Sequence, residues 1–266
     1  MERRYLWADG KIPLADPACG DFKPYIDLYL LENGRTDNPC VVVIPGGGYS
    51  FVSIVDEGDK ICRFLNENGY SAVMLNYRIA PYAYPCMLLD AQRAIRTVRF
   101  YAAAWGIDPE KIGSVGFSAG GHLCCLTALC ADDGKQDGDE IDAVSCRVNT
   151  AAPCYAVSSL DPAITHMGTR ECFLGSNGDE RLAFDFSAEN MIRDDTPPIF
   201  LWHTAEDTVV PPACSLRFAG ALIEKNIPVE LHIFPFGAHG SNLAQDYPLT
   251  NQWSALYVKW LDHYNR

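Results

Sequence analysis

The order of its apolar segments constrains this chain more than any other feature. Short runs rich in Val, Ile and Leu recur at 25–31, 40–44, 71–77, 111–116, 147–152, 199–203 and 229–234, with helix-like stretches between them almost throughout. A strand reaches a parallel neighbour only through a crossover long enough to hold a helix, so strand and helix in alternation predict parallel pairing. Such crossovers cover both faces of the sheet, which is why the strands themselves read as continuous apolar runs. The expected fold class is α/β: a mostly parallel, doubly wound sheet covered by helices on both faces.

The clearest helical period lies between 87 and 102. Met87, Leu88, Ala91, Ile95, Val98 and Ala102 repeat at three and four residues, while Gln92, Arg93, Arg96 and Arg99 take the other face. Pro85 stands ahead of this helix and Gly106 beyond it, as start and stop signals. The three arginines are the densest basic run of the chain and read as a solvated face. Further helices are expected at 213–225 and 252–264, and the biased patch at 132–140 reads as an acidic surface loop. Between the runs ending near Ala152 and opening at Pro198 lie roughly 45 residues rich in Gly, Asp and Ser with no clear period. A loop that long implies a task, so 155–197 is expected to be a small lid or substrate-side insertion within one domain spanning 1–266.

Charge narrows the function classes. The 266 residues carry 21 Lys+Arg against 34 Asp+Glu, a formal net charge of −13, which argues against a nucleic-acid binder that must displace counterions from phosphates. Hydrophobic residues make up 48 % of the chain, enough for a large core and too many for a disordered one. Its eleven cysteines are odd in number and include no C-x-x-C pair, so neither a disulfide framework nor a zinc site is expected. Buried thiols of a cytoplasmic protein are the expectation, and the N-terminal residues hold no apolar run of signal-peptide length. Neither a cofactor nor a metal is implied, since no cluster of ligating residues stands at ligand spacing.

The residues with chemical potential begin at Gly116-Phe117-Ser118-Ala119-Gly120, which follows the run at 111–116 and precedes an apolar helix-like stretch through Leu123, Leu126 and Leu129. G-x-S-x-G between strand and helix forces the serine onto a sharp turn and keeps its neighbours small enough for the two elements to approach. The plainer alternative is a glycine-rich turn with a helix-capping serine. A serine hydroxyl needs a base, and the base needs an acid to fix its tautomer. In a sheet of this kind the partners follow later in the chain, in the order acid then histidine. Asp207 follows the run at 199–203 and His239 lies in a glycine-flanked loop after the run at 229–234. Glu206 competes with Asp207; the shorter carboxylate suits a tight Asp-Thr-Val-Val-Pro loop better. His203 reads as a core histidine that could also touch the acid, His232 as a structural side chain, and His122 as pointing away from the serine. His166 and His263 have no supporting pattern.

A tetrahedral intermediate also needs preorganised donors for its negative oxygen. The run at 40–44 opens directly into Pro45-Gly46-Gly47-Gly48-Tyr49, where backbone N–H groups can approach a substrate unobstructed, and Ala119 supplies a further N–H next to the serine. This loop lacks the third glycine of a dinucleotide fingerprint, and no Walker lysine follows it.

Together with Leu75-Asn76-Tyr77-Arg78-Ile79-Ala80-Pro81 and Asp108-Pro109-Glu110-Lys111-Ile112, these motifs resemble the α/β-hydrolase superfamily, from about Tyr25 onwards. Within it the chain is similar to the carbohydrate-esterase branch of acetyl esterases and acetylxylan or feruloyl esterases, with the lipase-like enzymes as cousins. The resemblance implies the α/β-hydrolase fold, Ser118 as nucleophile, His239 as base, Asp207 as acid, and Gly47, Gly48 and Ala119 as oxyanion donors. It departs from the lipase-like cousins in carrying Pro45 where they have the histidine of His-Gly-Gly-Gly. The expected activity is a serine esterase that removes small acyl groups, acetyl first, from a sugar or xylo-oligosaccharide. Feruloyl esterase and aryl formamidase are the alternatives of the same fold, and a non-catalytic binding module is the alternative of another class.

Overall fold

Along β3 (Asn38–Ile44) the side chains alternate between two separate cores: Val42 and Ile44 enter one, Val41 and Val43 the other. Both clusters are solvent-free at this strand, so every residue from Cys40 to Ile44 except its backbone is an apolar burial worth about 1.5–3 kcal/mol when large. The structure, a computed structural model, describes residues 2–176 and 178–265. Around β3 lie β1 (Glu2–Tyr5), β2 (Tyr25–Tyr29), β4 (Ser71–Asn76), β5 (Ile107–Phe117), β6 (Thr150–Cys154), β7 (Ile199–Thr204) and β8 (Val229–Phe234). They form one sheet in the order β1-β2-β4-β3-β5-β6-β7-β8. The pairs β1·β2 and β2·β4 are antiparallel and all others parallel. This is the mostly parallel α/β architecture of the α/β-hydrolase fold.

One core is closed by α2 (Cys86–Phe100), α3 (Ala119–Leu129) and α6 (Ala213–Glu224). On the other face α1 (Lys60–Glu67) contributes Ile61 and Leu65, and α7 (Gln252–Tyr264) contributes Trp253, Tyr257 and Trp260. Because β3 and β5 to β8 run parallel, the segments following β3, β5, β7 and β8 all emerge at one edge of the sheet, and all four carry residues singled out above.

Three sequence expectations change. The strand expected at 147–152 is displaced to Thr150–Cys154, because Arg147 turns outward to Asp133 and Asp195 and Asn149 pairs with Ile112 before the ladder begins. Strand β1, too short and polar to register as an apolar run, pairs at the sheet edge, where Arg3 bonds Asp27 and covers the Tyr25 ring. The arginine face of α2 is not solvated. Arg93 and Arg96 are only 3 % and 1 % exposed. Arg93 pairs with Asp139 and Asp142, Arg96 with Asp132, and Arg99 bonds the carbonyls of Ser145 and Arg147. The acidic loop is therefore the ionic cover of this helix, and the helical period could not show it because both faces are buried. The aperiodic segment contains α4 (Met167–Leu174), α5 (Glu180–Asp185) and a 3₁₀ turn (Ala188–Asn190), each too short for a period to be visible. All eleven cysteines are unpaired thiols, and Cys40, Cys124, Cys125 and Cys154 are fully buried in the two cores. No helix among the described residues is long and apolar enough to cross a membrane.

Candidate active site

Ser118 sits between the last residue of β5 and the first of α3 with φ 54° and ψ −117°, a conformation that L residues avoid and that persists only where surrounding packing enforces it. Here the packing is glycine-dependent. A Cβ on Gly120 would lie 2.2 Å from the Ile44 carbonyl oxygen, and one on Gly116 2.2 Å from the Gly120 oxygen, so strand, turn and helix can meet only at these glycines. The turn is held by Ser118 N–H donating to Cys154 O (3.0 Å) and Ser118 O accepting from Val157 N (3.1 Å).

The structure brings Ser118, His239 and Asp207 together. Ser118 Oγ lies 2.8 Å from His239 Nε2, and His239 Nδ1 lies 2.7 Å from Asp207 Oδ2. Tautomers follow from the donors available. Oδ1 of Asp207 accepts from the backbone N–H groups of Val209 and Val210, both at 2.9 Å. Oδ2 faces His239 Nδ1 and, at 3.2 Å, His203 Nε2. Since His203 Nε2 also faces the Val210 carbonyl at 2.9 Å, it must carry the proton, leaving Nδ1 to accept from Ser215 Oγ at 2.8 Å. Burial alone would raise the Asp207 carboxyl; the bonds from His203 and His239 outweigh it and hold the group well below the usual carboxylate range. An ionised Asp207 fixes the proton of His239 on Nδ1, so Nε2 is free to accept from Ser118. Glu206 turns elsewhere and accepts from Gly237 N at 3.2 Å.

The glycine loop closes the other side. Gly47 and Gly48 line the same cavity as Ser118 and His239, a space of about 300 Å³ with Phe51 and Val209 exposed at its wall. No described residue accepts from the N–H of Gly47 or Gly48. Pro45, which replaces the cousins' histidine, has its carbonyl held by Tyr77 Oη at 2.7 Å, so the loop is anchored from beneath. His122 points away from the serine: Tyr49 Oη lies 2.9 Å from its Nδ1 and Phe186 O 2.9 Å from its Nε2, and burial pushes it down to about 4.

Three residues of this site, Glu57, Tyr155 and His166, carry no sequence signal. Glu57 lies in a π-helical turn (Ile54–Asp59) and is 5 % exposed. Its Oε2 accepts from Gly46 N at 2.8 Å and its Oε1 from Tyr155 Oη at 2.7 Å. Tyr155, at φ 34°, sets its ring edge-on to His239 with centroids 5.1 Å apart and accepts from Asn242 N at 3.2 Å. One carboxylate thus joins the glycine loop to the histidine loop. Burial raises its pKa, and its two hydrogen bonds offset that only in part. His166, which had no supporting pattern, heads α4 and lines the cavity. Glu57 was hidden because its partners are 11 and 98 residues away; His166 because a lone histidine before a short helix is an ordinary sight. Among the described residues, no group of three or more His, Cys, Asp or Glu side chains is arranged to hold a metal ion.

With this geometry in place, comparison with known proteins decides the family. A model of the BD-FAE family matches residues 26–222. The chain belongs to the BD-FAE family. It is 36 % identical over 249 residues to endo-1,4-beta-xylanase B of Butyrivibrio fibrisolvens, covering 92 % of this chain and 38 % of that protein. It is 28 % identical over 272 residues to an acetylxylan esterase of Xylanibacter ruminicola, covering 97 % of this chain and 54 % of that one. The chain therefore spans about half or less of the length of these two relatives. Among solved structures it superposes on an acetyl ester-xyloside bifunctional hydrolase from Caldicellulosiruptor lactoaceticus with a TM-score of 0.94, at 43 % identity and with 98 % and 96 % of the two chains covered.

Proposed function

We propose that this BD-FAE member is a serine carboxylic-ester hydrolase that removes acetyl groups from an acylated sugar or xylo-oligosaccharide. The observation that carries the reading is the hydrogen-bonded chain from Ser118 through His239 to Asp207 at a cavity also walled by unpaired backbone N–H groups. Ser118 Oγ attacks the ester carbonyl while its proton passes to His239 Nε2. The oxyanion is met by the N–H groups of Gly47, Gly48 and Ala119. Collapse breaks the bond to the alcohol, which takes the proton from His239; water, activated by the same nitrogen, then attacks the acyl-enzyme and releases the acid. The names of the acetylxylan esterase and acetyl ester-xyloside hydrolase relatives, together with the small cavity, support acetyl as the acyl group. The whole chain serves as one catalytic domain, with 155–197 as its substrate-side wall. Eleven unpaired thiols support a reducing compartment, the cytoplasm.

Ser118→Ala tests the mechanism: we expect a folded protein that takes no fluorophosphonate label and turns over p-nitrophenyl acetate near background. Near-normal turnover would remove the serine mechanism. Acetate release from acetylated xylo-oligosaccharides is expected to exceed cleavage of methyl ferulate and of long-chain esters, and the reverse preference would remove the acetyl reading.

A further inference from the structure

A histidine that the mechanism does not use lines the same cavity as Ser118. His166 caps α4: its Nδ1 accepts from the backbone N–H of Thr169 at 3.2 Å and lies 2.8 Å from Thr169 Oγ1. A backbone N–H can only donate, so Nδ1 is unprotonated and the neutral ring carries its proton on Nε2. The tautomer is therefore set by the fold. His166 is half-buried, lines the cavity that contains Ser118 and His239, and has no partner for Nε2 among the described residues. Its cap partner abuts the glycine loop, since a Cβ on Gly48 would stand 3.8 Å from Thr169 Oγ1.

We propose that His166 Nε2–H binds an alcohol-side oxygen of the substrate, a hydroxyl next to the acylated one, and so selects polyhydroxylated alcohols. An acetyl methyl offers no acceptor, and the ester carbonyl oxygen is claimed by the backbone N–H groups. The oxygens left for a lone donor are those of the alcohol. This rests on the ester-hydrolase reading above.

Two amide substitutions separate the ring's two roles. His166→Asn places an oxygen where Nδ1 stands, so it keeps the cap of α4 and loses the donor; His166→Gln reaches as far as Nε2 with its amide N–H and loses the cap. The readout is the ratio of kcat/KM for a methyl mono-O-acetyl-β-xylopyranoside to that for cyclohexyl acetate, a ring of the same size without hydroxyls. We expect the ratio to fall roughly three- to tenfold in the Asn variant, mainly through KM, as for loss of one neutral hydrogen bond, and to be largely kept in the Gln variant. The melting temperature should show the opposite pattern, kept in Asn and lowered in Gln. An unchanged ratio in the Asn variant overturns the proposal, and so does a fall in ratio that tracks melting temperature in both variants. A wild-type protein that hydrolyses cyclohexyl acetate and not the xyloside ester overturns it while leaving the hydrolase reading intact. Failure on both esters, with no fluorophosphonate label at Ser118, removes the hydrolase reading and the proposal with it.

Discussion

Two buried carboxylates support His239, Asp207 by a direct bond and Glu57 through the Tyr155 ring, and the fold drives them in opposite directions. Asp207 receives four N–H donors, two from its own loop and two from histidines, and stays ionised far below the usual range. Glu57 receives two donors, one N–H and one O–H, and burial raises it. The difference lies in the count of donors against the cost of desolvation, since both groups are nearly inaccessible. Asp207 is thereby fitted to hold a charge beside the His239 ring, and Glu57 to hold two loops in register.

The largest expected effect falls on the first of the pair. Asp207→Asn replaces one acceptor oxygen by a donor facing histidine or loop N–H groups, and kcat should fall about 10⁴-fold with the protein still folded, as read by steady-state kinetics beside circular dichroism. A loss no larger than that of a Glu57 variant would erase the distinction. Glu57→Ala should cost about a hundredfold in kcat/KM, because Gly46 N–H and Tyr155 Oη lose their shared partner and the glycine loop its anchor. Glu57→Gln should cost threefold or less, since a carboxamide oxygen still accepts from Gly46 and Tyr155 Oη can turn to accept. If Gln behaves like Ala, charge and not positioning is what Glu57 supplies. His203→Phe removes one donor from Asp207 and should lower kcat/KM roughly tenfold, the scale of one charged hydrogen bond.

Stability against pH gives the finest comparison. Asp207 is depressed in the folded state, so its contribution is complete above the ordinary carboxylate pKa and lost as pH falls toward the folded value. Glu57 is raised, so ionising it costs the folded state stability as pH climbs through the raised value. Melting temperatures of Glu57→Gln minus wild type should therefore become more favourable as pH rises above about 4, while those of Asp207→Asn minus wild type should become less favourable as pH rises toward about 4 and level off above it. Parallel trends would show that the two carboxyls do not differ.

What the amino-acid order decided by itself is local or sequential. The elbow at Gly116–Gly120 announces itself because a strand and a helix meeting at a strained serine exclude every side chain larger than hydrogen at two nearby positions. Asp207 and His239 were legible because parallel strands deliver their following loops to one edge, so chain order translates into neighbourhood. The sheet itself followed from runs buried on both faces. Tertiary structure alone decided what depended on partners remote in sequence: whether Arg93 and Arg96 meet water or an acidic loop 36 to 46 residues on, whether His203 touches the acid, and which wall His166 faces. Glu57 is the limiting case. A glutamate in a short turn reads as surface, and only the approach of Gly46 and Tyr155, 11 and 98 residues away, supplies the hydrogen bonds that make its burial tolerable.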